Sequence, residues 1–356
     1  MQTGDQELLR YIEHLQLGGS LSPTATVTAV QAICSGSASL PVATDFLRKL
    51  SPYQIRAEQL VAVIRALQPA NTLPYSVSIS MAGTGGFRFP RPNTTSVAGL
   101  MLAACGAKVL SHGNRGSHAA GGSADFFATL LRGKETSILS TRGTFERSGF
   151  GHIPVGEYFH FPAVVGEARS AVERLTIFNL VGPFLSFTKH AGLKIIGVAS
   201  PDLLPLFQDV ARLLHAENYP AKTIVFISGQ VGRGKWIDEA STCGLTMVSA
   251  VDRSGDSVKL QYSPKDFGLC REEDFSRVHG PHDDVTMNAE TFLSIVNDRG
   301  RSHSDRMPLI EWFCSNAGLI LFLAKGAKTI EEGRRRAQGV LHNGGLGATV
   351  RLFRGE

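Results

Sequence analysis

A glycine-rich segment after a short apolar run is the part of this sequence best suited to bind an anion. The run SISMA is followed by four such residues: Gly83, Thr84, Gly85 and Gly86. Glycine allows backbone conformations that other residues avoid, and it lets a ligand lie directly against the main chain. Polar residues follow where a helix is predicted to begin: Asn93, Thr94, Thr95 and Ser96. Because free N–H groups at a helix start attract anions, the pattern indicates a phosphate site. A glycine turn before an ordinary helix cap is the alternative.

A second glycine-rich segment, VLSHGNRGSHAAGGSADF, has the same organisation. A predicted strand leads into a loop of four residues: His112, Gly113, Asn114 and Arg115. Arg115 is suited to clamp a carboxylate or phosphate with two hydrogen bonds. His112 and Asn114 are suited to orient a planar acceptor, and Ser123 begins the next predicted helix. A surface loop with an unrelated histidine is the alternative.

An adjacent pair of acids, Asp238 and Glu239, follows the predicted strand KTIVFIS after a short loop. Neighbouring carboxylates at a strand end are suited to hold Mg²⁺ on a diphosphate, although such pairs are also common on solvated surfaces. The preceding segment GQVGRGKW has nearly the spacing of a nucleotide-binding P-loop. Trp236 stands where a P-loop has its magnesium-binding hydroxyl, so a flexible basic loop is the preferred interpretation.

The elements that must position these segments alternate between strands and helices after Pro69. Strands are predicted at 76–80, 107–112, 194–200 and 222–228, and helices at 95–106, 123–131 and 201–216. The C-terminal segment HNGGLGATVRLF is predicted to end a helix and continue as an edge strand. This alternation predicts an α/β fold whose mainly parallel central sheet is covered by helices. Ligands bind at the carboxyl ends of strands in such sheets, so the glycine loops should share one edge.

The first 70 residues differ from the rest, because they show only helical patterns. We therefore expect a small all-helical domain at 1–70, joined by helices from about 160–190, and a larger α/β domain at 71–356. The sequence shows no secretory signal and no apolar run long enough for a membrane helix. Five scattered cysteines favour a reducing compartment, and we expect a cytoplasmic protein without a membrane partner. The net charge of +5 fits an anionic substrate and leaves nucleic acid open as a partner.

In their order along the chain, these segments resemble the motifs of the anthranilate phosphoribosyltransferase family, within the group of glycosyltransferase family 3 and nucleoside phosphorylases. The matching motifs are GTGG (83–86), NTTS (93–96), HGNR (112–115), GSAD (122–125), TIFNLVGP (176–183) and DE (238–239). Similar phrases continue towards the C-terminus, including MNAETFL (287–293) and SNAG (315–318). The resemblance therefore spans nearly the whole chain.

The resemblance implies a magnesium-dependent transfer of a phosphoribosyl group from 5-phosphoribosyl diphosphate (PRPP) to an aromatic amine or nitrogen heterocycle. It implies no protein nucleophile, so no catalytic residue is expected. The GTGG and NTTS segments, with Ser123, would cradle the phosphates, and Asp238 and Glu239 would hold Mg²⁺. The HGNR loop would contact the acceptor, whose carboxylate would meet Arg169, although an exposed helix charge is the alternative for this arginine. A homodimer through the helical domain is also implied.

The chain departs from the family pattern at four positions: Phe87, Ser111, His118 and Ala119. The family has an aspartate at the first, a phosphate-binding lysine at the second and serines at the last two. Arg88 and Arg91 are candidates to supply replacement positive charge. We therefore expect a divergent paralogue with altered donor and acceptor residues. A catalytically inactive member that binds nucleic acid or protein, and a nucleoside phosphorylase, are the alternatives.

Overall fold

The computed structural model describes residues 3–85, 91–116, 121–133, 138–270, 272–279, 285–301 and 305–356. The N-terminal part contains only helices: α1 (Asp5–Gln16), α2 (Pro23–Cys34), α3 (Leu40–Lys49) and α4 (Ala57–Ala66). The sequence explains where the second helix begins, because the Ser22 side chain accepts a hydrogen bond from the Ala25 N–H and Pro23 opens the helix.

A single mixed sheet follows. Its strands are β1 (Leu73–Gly83), β2 (Val109–Gly113), β3 (Phe150–Pro154), β4 (Thr188–Gly197), β5 (Ala221–Gly232), β6 (Lys235–Ile237), β7 (Thr246–Asp252) and β8 (Ser257–Tyr262). They are ordered β3-β2-β1-β4-β5-β7-β8, with β6 paired to β5. The first five are parallel, and β6, β7 and β8 pair antiparallel. The predicted α/β fold with a mainly parallel sheet is confirmed, and the antiparallel edge is a feature that the sequence analysis missed. The GQVGRGKW segment forms the β5–β6 hairpin, so the predicted flexible loop is wrong, and no helix follows it as in a P-loop.

Helices cover both faces of the sheet. After β1 they are α5 (Thr94–Ala104), α6 (Ser123–Leu130), α7 (Ile138–Ser148), α8 (Val155–Phe159), α9 (Ala163–Val172), α10 (Ile177–Val181), α11 (Leu204–Ala216), α12 (Phe275–His279), α13 (Val285–Asn297), α14 (Met307–Leu323), α15 (Ile330–His342) and α16 (Gly345–Arg354). Short 3₁₀ helices lie at Gly182–Phe184, Pro201–Leu203 and Pro264–Phe267. In the described part of the chain, no helix combines the length and apolarity needed to cross a membrane.

The sheet separates two hydrophobic cores. On one face, the N-terminal helices, α9, α10 and α11 pack together, with Val77 and Phe226 contributed by the sheet. On the other face, α5, α6 and α13 to α16 pack against residues such as Met81 and Val225. Within the first core α3 packs directly against α9. The boundary between domains at residue 70 stays a prediction.

The expected C-terminal edge strand is wrong, because Gly345–Arg354 form helix α16. Leu346, Val350 and Phe353 are spaced at four and three residues, and all three are buried in the second core. This spacing places them on one helical face, which outweighs the glycines and the β-branched residues of the segment. The prediction failed because the segment was interpreted by its local propensities rather than by this spacing.

Candidate functional site

The GTGG loop is fixed at the carboxyl end of β1. The Thr84 N–H donates to the Gly197 carbonyl at 3.0 Å, and Thr84 Oγ1 accepts from the Ala199 N–H at 3.0 Å. From α10, Asn179 Nδ2 donates to the Thr84 carbonyl at 2.8 Å. The loop is thereby joined to the neighbouring strand β4 and to α10, which leaves it little freedom to move.

The acid pair lies beneath this loop. The Gly85 N–H donates to Asp238 Oδ2 at 2.8 Å. Gly85 has a φ of +58°, and a Cβ at Gly83 would lie 2.4 Å from the same oxygen. Glycine is thus required at both positions, once for its conformation and once for the close approach of a carboxylate. The two motifs that the sequence separates by about 150 residues form one structure, as predicted.

Glu239 is buried and held by α14. Trp312 Nε1 donates to Glu239 Oε2 at 3.2 Å and to Thr94 Oγ1 at 3.0 Å. One turn further along, the Asn316 side chain accepts from the Ala240 N–H at 2.8 Å and donates to the Ala240 carbonyl at 3.0 Å. The loop that carries the acids is therefore positioned by two side chains of a buried helix.

Arg91 forms ion pairs with both acids. Its Nη1 lies 2.7 Å from Asp238 Oδ1 and 2.8 Å from Glu239 Oε1. Burial by itself would lower the pKa of Arg91, but the two carboxylates raise the pKa above its usual value. Burial also raises the pKa of Glu239 to about 7, and Arg91 opposes this effect. The sequence analysis proposed Arg91 as a charge for phosphate, whereas the structure places the guanidinium on the acids.

The start of α5 supplies further polar groups near the acids. Thr94 and Ser96 are buried, and Asn93 and Thr95 are half-buried. The buried Nδ2 of Asn93 has no hydrogen-bond partner among the described residues. Asn93 is consequently the NTTS side chain most available to a ligand. Gly86 lies outside the described residues, together with Phe87 and Arg88.

The HGNR segment lies at the end of β2. His112 Nε2 is 3.0 Å from the Gly182 carbonyl, and its ring packs against Phe187. Burial lowers the pKa of His112 well below its usual value, so the neutral ring donates this hydrogen bond. A Cβ at Gly113 would lie 2.0 Å from Ser123 Oγ, so Ser123 packs directly on this glycine. Because its ring contacts Gly182 and Phe187, His112 supports the position of the HGNR segment.

Ser111, where the family pattern has a lysine, is also buried. Its Oγ lies 2.9 Å from His152 Nδ1. Burial lowers the pKa of His152 to about 3, so this ring is neutral as well. The position therefore carries no positive charge. His118 and Ala119, the other departures in this loop, lie outside the described residues.

An open cavity of about 270 Å³ lies beside the HGNR loop. Most of its lining is apolar and includes Phe161, Val165, Phe178 and Val181. Asn114, Arg115 and Arg169 supply polar atoms, and Gly182 forms part of the wall. Such a cavity, apolar with a few polar groups, is typical of a small-molecule site.

The two arginines of the cavity differ. Arg169 is half-buried, and its buried Nε has no hydrogen-bond partner among the described residues. Burial lowers the pKa of Arg169 from its usual value. The Arg115 side chain is 67% exposed, with Nη2 3.0 Å from Glu157 Oε1 and Nη1 3.6 Å from Asp125 Oδ1. Arg169 is thus the arginine that is prepared for a buried anionic ligand.

Helix α10 links the GTGG loop to the cavity. Asn179 binds the GTGG loop, while its neighbours Phe178, Val181 and Gly182 line the cavity. The structure therefore brings the predicted phosphate, metal and acceptor residues to one edge of the sheet.

Four residues that hold the loops of the site in place were not predicted from the sequence: Asn179, Asn288, Trp312 and Asn316. Three of them stand in phrases that the sequence analysis noted without assigning a role, namely TIFNLVGP, MNAETFL and SNAG. Trp312 has no such signal, because a single tryptophan in an apolar helix also fits an ordinary core position.

Comparison with known proteins identifies the family to which this chain belongs. Residues 77–346 match the model of a glycosyl transferase family, α/β domain. Anthranilate phosphoribosyltransferase of Rubrobacter xylanophilus is 29% identical over 345 residues, which cover 94% of this chain and 93% of that protein. The Ignicoccus hospitalis enzyme of the same name is 32% identical over 264 residues, covering 72% of this chain and 73% of the relative.

Solved structures share the fold. The Saccharomyces cerevisiae anthranilate phosphoribosyltransferase in complex with PRPP and Mg superposes with a TM-score of 0.77 at 22% identity, covering 97% of this chain and 96% of that one. The Thermus thermophilus enzyme gives a TM-score of 0.70 at 24% identity, with coverage of 97% and 98%.

Proposed function

The chain belongs to the glycosyl transferase family that includes the anthranilate phosphoribosyltransferases, and we propose that it transfers a phosphoribosyl group from PRPP to the amine of an aromatic acid. One observation carries the proposal: a glycine loop over two buried acids and a mainly apolar cavity with a half-buried arginine lie on either side of α10. A phosphoribosyl diphosphate donor and an aromatic acceptor would then face each other at the strand ends.

The lining of the cavity supports an aromatic acceptor. An aromatic ring would fill the space between Phe161, Phe178 and Val181, and burial of its apolar surface would contribute to affinity. A carboxylate on that ring would give the Arg169 Nε its missing partner. Asn114 offers a hydrogen bond that would orient the amine. An aromatic ring that carries both a carboxylate and an amine, as anthranilate does, would make all three contacts.

The acid pair fits Mg²⁺. Asp238 and Glu239 offer hard oxygen ligands, and Mg²⁺ in phosphate sites is commonly held by one or two carboxylates together with phosphate oxygens and water. Within the described ranges no group of three or more histidine, cysteine or acidic residues could hold a metal. The remaining ligands would therefore come from the donor. When bound, Mg²⁺ supplies positive charge that stabilises the departing diphosphate.

The protein's contribution is orientation and charge. The acceptor amine forms its bond to C1′ of the ribose as the bond from C1′ to the diphosphate oxygen breaks, and the nitrogen then releases a proton to water. The GTGG amides and Asn93 would hold the phosphates, and Arg169 would hold the acceptor in line with C1′. This role requires no protein nucleophile.

We also infer that donor binding has diverged. The family pattern places a lysine where Ser111 is bonded to the neutral His152, and Arg91 lies on the acids. Loss of one charge-assisted hydrogen bond costs about 1.5–3 kcal/mol. We therefore expect weaker PRPP binding than in a member that keeps the lysine.

Ligand-induced stabilisation tests the function. PRPP with Mg²⁺ should raise the melting temperature of the full chain. The Asp238→Ala/Glu239→Ala variant should lose this rise. The Asp252→Ala/Asp256→Ala variant, which removes one half-buried and one exposed acid of the turn between β7 and β8, should keep it. Mass spectrometry of mixtures with anthranilate and related aromatic amines should then detect the phosphoribosylated amine.

Absence of both the temperature rise and the product would exclude the transferase function. Binding of nucleic acid that weakens with added salt would instead favour a non-catalytic binding protein. Consumption of a nucleoside together with phosphate would favour a nucleoside phosphorylase.

We further propose a homodimer through the helical part. Large side chains with apolar surface are exposed in the helical part at Leu9, Leu17, Leu40 and Tyr53, and a second copy would cover some of that surface. Light scattering should show a dimer that Leu17→Asp weakens. A monomer at micromolar concentration would contradict the proposal.

A further inference from the structure

The acid pair that would hold the metal is already occupied by the protein. Three of its four carboxylate oxygens accept hydrogen bonds: Asp238 Oδ2 from the Gly85 N–H, Glu239 Oε1 from Arg91 Nη1 and Glu239 Oε2 from Trp312. The fourth, Asp238 Oδ1, accepts no hydrogen bond among the described residues but lies 2.7 Å from Arg91 Nη1. The guanidinium therefore lies between the two acids, where a divalent cation bound to both would also lie.

We propose that Arg91 competes with the divalent cation for Asp238 and Glu239 and leaves them when the diphosphate of the donor arrives. The inference rests on the proposed function, since it assigns a role to one residue of the same site. It makes Arg91 the residue that couples binding of the cation to binding of the diphosphate.

The charges explain the coupling. With Arg91 in place, the two carboxylates keep only one net negative charge between them, and a divalent cation beside the guanidinium would meet strong repulsion. Burial enlarges this repulsion, because charges interact more strongly away from water. A diphosphate adds negative charge, which both attracts the cation and offers the guanidinium another anionic partner.

The local structure allows a side chain to move while its backbone stays. Asn288 Nδ2 donates to the Arg91 carbonyl at 3.3 Å and ties the main chain to α13. The long arginine side chain has several rotatable bonds beyond that anchor. The movement required is therefore a change of rotamer.

The test uses two probes that should respond in opposite directions to loss of Arg91. Mn²⁺ alone, followed by electron paramagnetic resonance at about pH 8.5, where ordinary carboxyl groups are ionised, measures the cation affinity of the acids. Labelled inorganic diphosphate with Mg²⁺, followed by equilibrium dialysis, measures joint binding. Arg91→Gln should bind Mn²⁺ about tenfold more tightly than the wild type and bind diphosphate with Mg²⁺ about tenfold more weakly.

One control variant and one alternative test variant accompany Arg91→Gln. Arg142→Gln removes the same charge from an exposed ion pair on α7 and should leave both affinities unchanged. Arg91→Met is a second neutral variant of similar length, which is measured if Arg91→Gln melts too low. If the role of Arg91 were purely structural, its neutral variants would bind both Mn²⁺ and diphosphate with Mg²⁺ more weakly than the wild type.

Neutral variants that bind Mn²⁺ no more tightly than the wild type would overturn the inference while leaving the proposed function intact. A wild-type protein that binds no diphosphate with Mg²⁺ would overturn the proposed function and the inference with it.

Discussion

The donor side and the acceptor side of the site differ in how their polar groups are arranged before a ligand binds. On the donor side, Asp238, Glu239 and Thr84 already have protein partners at hydrogen-bonding distance. On the acceptor side, a cavity of about 270 Å³ is open and the Arg169 Nε lacks a partner. Under the proposed function, a donor would displace Arg91 from the acids, whereas an acceptor could add a contact at the Arg169 Nε. We therefore expect donor binding to require more rearrangement of the protein than acceptor binding.

The largest effect should come from the donor side. Asp238→Asn keeps the size of the side chain but removes the charge needed opposite Mg²⁺ and Arg91. We expect kcat/KM to fall by about 10³-fold, as for loss of a major electrostatic contact in a buried site. Product formation measures the fall, and Asp209→Asn, an exposed acid on α11, is the matched control. Activity within tenfold of the wild type would mean that the acids are dispensable.

The acceptor side should respond through binding. Arg169→Met removes the half-buried guanidinium, and the KM for an aromatic acid should rise roughly 10–100-fold because a charged hydrogen bond is lost. The melting temperature should stay the same or rise, since the wild type buries a nitrogen without a partner. Arg169→Lys should restore part of the affinity. An equal loss for an aromatic amine without a carboxylate would show that Arg169 does not bind that group.

Stability at acid pH tests the protonation state of the buried His152, which lies against Ser111. Burial lowers the pKa of His152 to about 3 from the usual 6.5, so protonation favours the unfolded chain. The stability that neutral His152 contributes is complete above pH 6.5 and is lost as the pH falls towards 3. Between pH 7 and pH 5 the loss should be about 2 kcal/mol. Urea unfolding should show this loss, and His152→Gln should show a flatter pH dependence. Parallel curves would mean that His152 is not neutral in the fold.

The smallest effect should come from Arg115. Its side chain is 67% exposed and already paired with two acids, and exposed ion pairs contribute less than about 1 kcal/mol. Arg115→Ala should therefore change the KM of the acceptor less than about threefold in steady-state assays. A change as large as that of Arg169→Met would place Arg115 among the acceptor contacts despite its exposure.

The sequence predicts much of this site because strand ends and glycines follow local rules. GTGG and HGNR each follow a strand, and parallel strands bring their carboxyl ends to one edge. The ion pairs of Arg91 could not be predicted in this way, because the acids lie almost 150 residues later in the chain and only the folded structure brings them close. Trp312 and the C-terminal helix were missed for a related reason, since only packing decides what an apolar residue contacts.

Helix α10 restricts how this pocket can change during evolution. Asn179 holds the donor loop, and its neighbours on both sides form the acceptor wall. A new side chain at Phe178 or Val181 that shifts this short helix would therefore disturb two substrates together. Phe161 and Val165, on α9 and the segment before it, line the same cavity. Changes of acceptor preference among relatives should accumulate on the α9 side, where one substrate can be exchanged without penalising the other.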